Sequence, residues 1–170
     1  LFNPGKIVNP HKMDDREIMR FAPGYEPIKL ETKLDWSEWG GINRALEMCN
    51  NNGACRKSHV GTMCPSYRVT KDEQHLTRGR ANSLRLAITG QLGPDAFSSE
   101  AMYETMDLCV GCKGCKRECP TGIDMARMKV EFLDQYHQRH GTKMREKLFA
   151  YLPRYAPKIK SLHFLLNLRD

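Results

Sequence analysis

Apolar residues along this chain recur at helical spacing, not strand spacing. Met125, Met128, Phe132 and Tyr136 fall three or four positions apart and so share one stripe of a helix. That stripe predicts a helix from near Asp124 to about His140, stopped by Gly141. Ala81, Leu84 and Ile88 predict a second helix from about Thr77 to Thr89, with Gly90 as terminator and Gly93-Pro94 as the turn beyond. Met102 and Met106 predict a third, starting at Ser98 or Ser99 with Glu100 in its first turn. Trp39, Ile42, Leu46 and Cys49 predict one beginning near Trp36, with Asp35 or Ser37 as cap and a turn at Asn50 to Gly53. No segment alternates with a period of two. The pattern therefore predicts an all-α domain over residues 36–140.

The two ends read differently. Residues 1–35 hold Pro4, Pro10, Pro23 and Pro27, four of the nine prolines, and few apolar repeats. Proline blocks helix interiors and biases its predecessor toward extended backbone, so an extended arm is expected. Residues 141–170 carry seven Lys or Arg against two acids, which is +5 of the chain's net +7. They predict a basic amphipathic helical extension. Leu162, Leu165, Leu166 and Leu168 lie beside Lys158, Lys160 and Arg169. Such a tail either packs on a further domain or lies peripherally on an anionic membrane surface. No apolar run reaches the roughly 18 residues of a spanning helix. Basic residues are not interleaved with aromatics as in single-strand binders, so no nucleic-acid partner is expected.

The charge picture changes once the cysteines are counted. Seven in 170 residues is dense, and the number is odd. Without an export signal this predicts reduced thiols in the cytoplasm, and thiols at such density hold metal. The opening Leu1-Phe2-Asn3-Pro4-Gly5, without Met, predicts a piece of a longer polypeptide.

Cys109-Val-Gly-Cys112-Lys-Gly-Cys115-Lys-Arg-Glu-Cys119-Pro120 is the C-x2-C-x2-C-x3-C-P run of bacterial ferredoxins. Two-residue gaps let a short loop place thiolates on successive irons. Gly111 and Gly114 lie in those gaps, where positive φ would turn backbone N–H groups toward cluster sulfurs. The fourth cysteine lies one helical turn further on and serves the other cluster in two-cluster proteins. A second set, Cys49, Cys55 and Cys64-Pro65, has a matching Cys-Pro but lacks the middle cysteine. Exchange of the last ligands then assigns Cys109, Cys112, Cys115 and Cys64 to one [4Fe–4S] cluster. Cys49, Cys55 and Cys119 are left for a second, either [3Fe–4S] or a [4Fe–4S] completed by water or His59. One cluster with inert remaining thiols is the simpler alternative. A zinc-stabilised interaction module is the alternative of another class, although zinc knuckles usually stand well apart. Arg78, Arg80, Lys113 and Lys116 are candidates for the charge environment of the clusters, with Arg56, Lys57 and Arg117 nearby. Catalytic motifs such as a P-loop, nucleophile elbow or His-Glu-x-x-His are absent, so no catalytic residue is expected here.

The stretch from about Trp36 to His137 resembles the iron–sulfur domain of fused FAD-linked 2-hydroxy-acid dehydrogenases of the glycolate, D-lactate and D-2-hydroxyglutarate type. The residues carrying the resemblance are Cys49 to Cys55, Met63-Cys64-Pro65-Ser66-Tyr67, Thr77-Arg78-Gly79-Arg80-Ala81 and Cys109 to Pro120. It implies an alpha-helical ferredoxin fold. It also implies FAD in a preceding domain of the same polypeptide and a downstream cysteine-rich domain or electron acceptor. Residues 1–7 look like the closing strip of that FAD-linked oxidase domain. The cysteine pattern is similar as well to the succinate dehydrogenase iron–sulfur subunit, with the two motifs in the opposite order and a longer gap from Cys55 to Cys64. A heterodisulfide-reductase or glycerol-3-phosphate-dehydrogenase-type subunit would share these motifs.

Overall fold

The computed structural model describes residues 4–19, 21 and 23–158. Leu162, Leu165, Leu166, Leu168, Lys160 and Arg169, on which the membrane-surface expectation rests, lie outside the described residues. So do the first three residues of the strip likened to an oxidase domain.

Among the described residues there are seven α-helices and no strand, in agreement with the all-α expectation. They are α1 (Ile42–Glu47), α2 (Pro65–Thr70), α3 (Thr77–Ile88), α4 (Glu100–Asp107), α5 (Gly114–Glu118), α6 (Met125–His140) and α7 (Met144–Tyr155). None is long and apolar enough to cross a membrane.

Three helices sit where their sequence signals place them. Ser99 caps α4 by accepting from the N–H of Met102 at 3.2 Å. Asp124 caps α6 through the N–H of Arg127 at 3.1 Å, and Gly141 ends it at φ +75°. Thr89 closes α3, with Gly90 left-handed just after. The helix expected from Trp36 differs. A 3-10 turn at Ser37–Trp39 is cut from α1 by Gly40 and Gly41, both at positive φ. The apolar spacing continues across that break, so periodicity alone joins what the backbone separates.

Helix α3 is the centre. It packs against α1, α4 and α6 and against turns at Glu73–His75 and Ala96–Ser98. Gly79 permits this, since a Cβ there would lie 2.0 Å from the carbonyl oxygen of Glu73. Leu46, Leu84, Ile88, Met106, Met128 and Phe132 fill the core around it.

The described part of the N-terminal arm is not extended throughout, since Arg16–Ile18 forms a 3-10 turn capped by Asp15, but its later residues dock without regular structure. Its anchor is Glu131 on α6, whose carboxylate is fully buried. It accepts from the backbone N–H of Lys33 at 2.8 Å, that of Leu34 at 3.0 Å and the indole N–H of Trp36 at 3.0 Å. Ile28 adds an N–H to the carbonyl of Ile88 at 2.8 Å. The guanidinium of Arg127 then covers the Trp36 ring at 4.7 Å. A segment without regular structure is thus tied to α6 through its own backbone donors.

Candidate metal centre

Four cysteines from two distant stretches line one cavity: Cys64 from the first set and Cys109, Cys112 and Cys115 from the second. Cys119 is not in its wall. Local backbone explains the convergence. Gly111 takes φ +65° as expected, but Gly114 does not take positive φ; Lys113 does, at +57°, as the cap of α5. Gly114 has another role. A Cβ there would sit 2.8 Å from the hydroxyl of Thr62 and 3.4 Å from the N of Met63, so glycine lets residues 62–64 close on the 109–115 loop. Glu118 secures the closure. Its carboxylate accepts from the Thr62 N–H at 2.5 Å and hydroxyl at 2.7 Å, and pairs with Lys57 at 3.6 Å. The Thr62 backbone bond leads in holding its pKa down to about 2. Cys64 itself is left-handed, φ +54°, immediately before Pro65, a strained backbone held by the packing around it.

Hydrogen-bond donors are aimed at the sulfurs. Thr77, the first residue of α3, gives Cys64 Sγ its N–H at 3.1 Å and places its hydroxyl 3.0 Å away. Met125, the first residue of α6, gives its N–H to Cys115 Sγ at 3.4 Å. Helix N-termini carry partial positive charge, so both favour thiolate. Burial works the other way and pushes the Cys115 thiol up overall. Lys129 Nζ holds the loop by donating to the carbonyls of Cys109 at 2.7 Å and Asp107 at 2.8 Å.

The second set is less drawn together. Cys49 and Cys64 are both within electrostatic reach of Cys55, whose pKa is raised chiefly by burial. Cys119, the cap of α5, is held by its own loop. Burial would raise its pKa, but hydrogen bonds from the Thr121 hydroxyl and from the N–H groups of Ile123, Thr121 and Gly122 outweigh it. His59 is exposed. Among the described residues no group of three or more His, Cys, Asp or Glu is placed to hold a single metal ion.

The four candidate charges fall into separate environments. Arg80 is 2% exposed and lines the four-cysteine cavity. It donates to the Thr105 carbonyl at 2.9 Å, the His75 carbonyl at 2.8 Å and the Ser66 hydroxyl at 3.1 Å, none of them an anion. Burial lowers its pKa, while Cys109, Cys64 and Cys115 act to raise it. Arg78 is neutralised by Glu73 at 2.6 Å. Lys116 pairs with Asp124 at 3.6 Å, and Lys113 is exposed at the cavity mouth.

Sequence reasoning missed Thr77, Glu118, Lys129 and Glu131. Of these, Thr77 and Glu118 lay inside motifs already singled out, Thr77 opening Thr-Arg-Gly-Arg and Glu118 just before Cys119 in the long cysteine run.

The donor set fits a sulfide-bridged iron core. It is all thiol, it surrounds a cavity, and N–H donors and a buried cation oppose its negative charge.

Comparison with known proteins agrees. Residues 45–123 match the family described as 4Fe–4S dicluster domain. A D-2-hydroxyglutarate dehydrogenase of Pseudomonas putida is 26% identical over 204 residues, covering 97% of this chain and 19% of that protein. That of Escherichia coli is 26% identical over 208 residues, covering 97% and 20%. A probable glycolate oxidase iron–sulfur subunit of Bacillus subtilis is 29% identical over 101 residues, covering 59% and 21%. The chain thus spans about one fifth of the length of these relatives. No solved structure matches it significantly.

Proposed function

We propose, from the match of residues 45–123 to the 4Fe–4S dicluster domain family, that this chain is the electron-transfer segment of an FAD-linked 2-hydroxy-acid dehydrogenase. The observation that carries the reading is the single cavity walled by Cys64, Cys109, Cys112 and Cys115. These four are the ligands of a [4Fe–4S] cluster. Cys49, Cys55 and Cys119 hold the second, [3Fe–4S] or [4Fe–4S]. Such clusters, when bound, supply one-electron redox chemistry over a wide span of potentials. The chain's own residues set where in that span its potential falls. Thr77 and Met125 donate to ligand sulfurs, and Arg80 places a cation behind them.

The relatives' names support the substrate class and their greater length supports the remaining architecture. Residues 1–35 end a flavin domain, residues 36–140 form the iron–sulfur domain and residues 141–170 lead to a cysteine-rich domain or electron acceptor. FAD belongs to the preceding domain, and the whole acts in the cytoplasm or at the inner face of the membrane. The test is anaerobic titration of the full-length polypeptide with 2-hydroxy acids. Substrate should bleach flavin absorbance and then that of the clusters. Flavin reduction without cluster reduction would refute the reading.

Thr77→Val removes one hydroxyl beside Cys64 Sγ and keeps the backbone N–H. Hydrogen bonds to ligand sulfur favour the more negative, reduced state. The variant should lose about 1 kcal/mol of stability and lower the potential of the four-cysteine site in a spectroscopic redox titration. The other site should not shift.

A further inference from the structure

The four-cysteine site has a closed side and an open side. Cys64, Cys115 and Arg80 are buried, whereas Cys112 is exposed. Beside Cys112, Val110 is 70% exposed, an apolar side chain standing largely in water at the edge of the cavity. Outside the thiol lies a shallow depression lined by Thr62, Cys112, Lys113, Gly114, Lys116 and Arg117. Its charged residues are all basic.

The nearby carboxylates are already engaged. Glu118 is held by Thr62, Met63 and Lys57. Asp124 is buried and holds the N–H of Arg127 and the ammonium of Lys116. Among the described residues Lys113 and Arg117 have no anionic partner. Lys113 is also held left-handed at the loop's apex, a conformation that costs a residue with a Cβ about 1 kcal/mol. The rim therefore presents uncompensated positive charge around the one exposed thiol of the site. Small interfaces with an apolar centre and a charged rim suit brief redox encounters, in which charge complementarity speeds association.

We propose that the exposed face of the four-cysteine site, Cys112 with Val110, Lys113, Lys116 and Arg117, is the docking surface for an acidic protein surface that surrounds a one-electron carrier. One electron crosses at this face per encounter, and no bond is made or broken. The inference rests on the proposed cluster at this site, and its test has one arm that needs no cluster.

In the iron-free chain, Cys112 is labelled with an anionic aromatic disulfide or a cationic alkylthiosulfonate, and its rate is followed by peptide mapping. Wild type should favour the anionic reagent, with the preference fading in high salt. Lys113→Asn with Arg117→Gln should cut the anionic-to-cationic rate ratio about tenfold. Asparagine tolerates the left-handed backbone, so the pair leaves the loop intact. Lys143→Gln with Lys147→Gln on α7, an equal charge loss elsewhere, should leave the ratio unchanged. In the iron-loaded protein, reoxidation of reduced clusters by ferricyanide and by hexaamminecobalt(III) should show the same preference and the same loss. Equal effects of the two double variants, or no preference in wild type, would overturn the docking surface. Failure of the wild-type chain to take up iron would instead overturn the cluster reading.

Discussion

Replacing Cys64 with serine should remove about four irons per chain, while replacing Cys119 should leave those four in place. Cys119 completes the linear run that begins at Cys109, but ligand exchange between the two sets already assigns Cys64 in its place. Three features of the fold support that assignment. Cys119 caps α5 and is held by Thr121 and the following backbone N–H groups. Cys64 instead enters the cavity wall, brought there by the absent side chain of Gly114 and by Glu118 gripping Thr62. The start of α3 then meets its sulfur with both an N–H and a hydroxyl. Iron analysis and visible absorbance of the two anaerobically reconstituted variants read the difference. If Cys119→Ser empties the site and Cys64→Ser spares it, ligation follows the linear run and the exchange is wrong.

Glu131→Ala should destabilise the domain by about 3–5 kcal/mol, within the range for breaking a buried charged interaction. The carboxylate is fully buried and satisfies two arm N–H groups and the Trp36 indole at 2.8–3.0 Å. Alanine would leave all three donors facing apolar surroundings, each at a penalty of about 1–3 kcal/mol before relaxation. Relaxation here means release of the arm, so proteolysis should begin within residues 28–36. Chemical denaturation and limited digestion check both parts. A variant with unchanged stability and an intact arm would show that the arm is not anchored through α6.

Legibility in the sequence followed how local each determinant was. Helices α3, α4 and α6 combine an apolar stripe with a cap or a glycine stop, and all three were readable. Helices α2 and α5 are five or six residues long, too short for a stripe to form. They exist because Cys64-Pro65 and the Lys113-Gly114 corner are fixed by contacts from elsewhere in the chain. The break at Gly40-Gly41 was legible as glycine but not as an interruption, because apolar spacing ran through it. The cysteine spacing pointed to thiol–metal chemistry and grouped Cys64 with Cys109, Cys112 and Cys115, the four that line one cavity. It could not separate Arg80 from Arg78, which are two residues apart in one motif. Only packing shows that one is buried against the thiols and the other is paired with Glu73. Glu131 gave no signal, since a glutamate within an amphipathic helix normally reads as a solvated position.

Mössbauer spectroscopy of the anaerobically reconstituted chain, with iron, acid-labile sulfide and zinc assayed on the same sample, tests the central claim most directly. The account predicts iron and sulfide in comparable amounts and spectra of sulfide-bridged clusters, depleted in Cys64→Ser at the four-cysteine site. A colourless protein with stoichiometric zinc and no sulfide would contradict it.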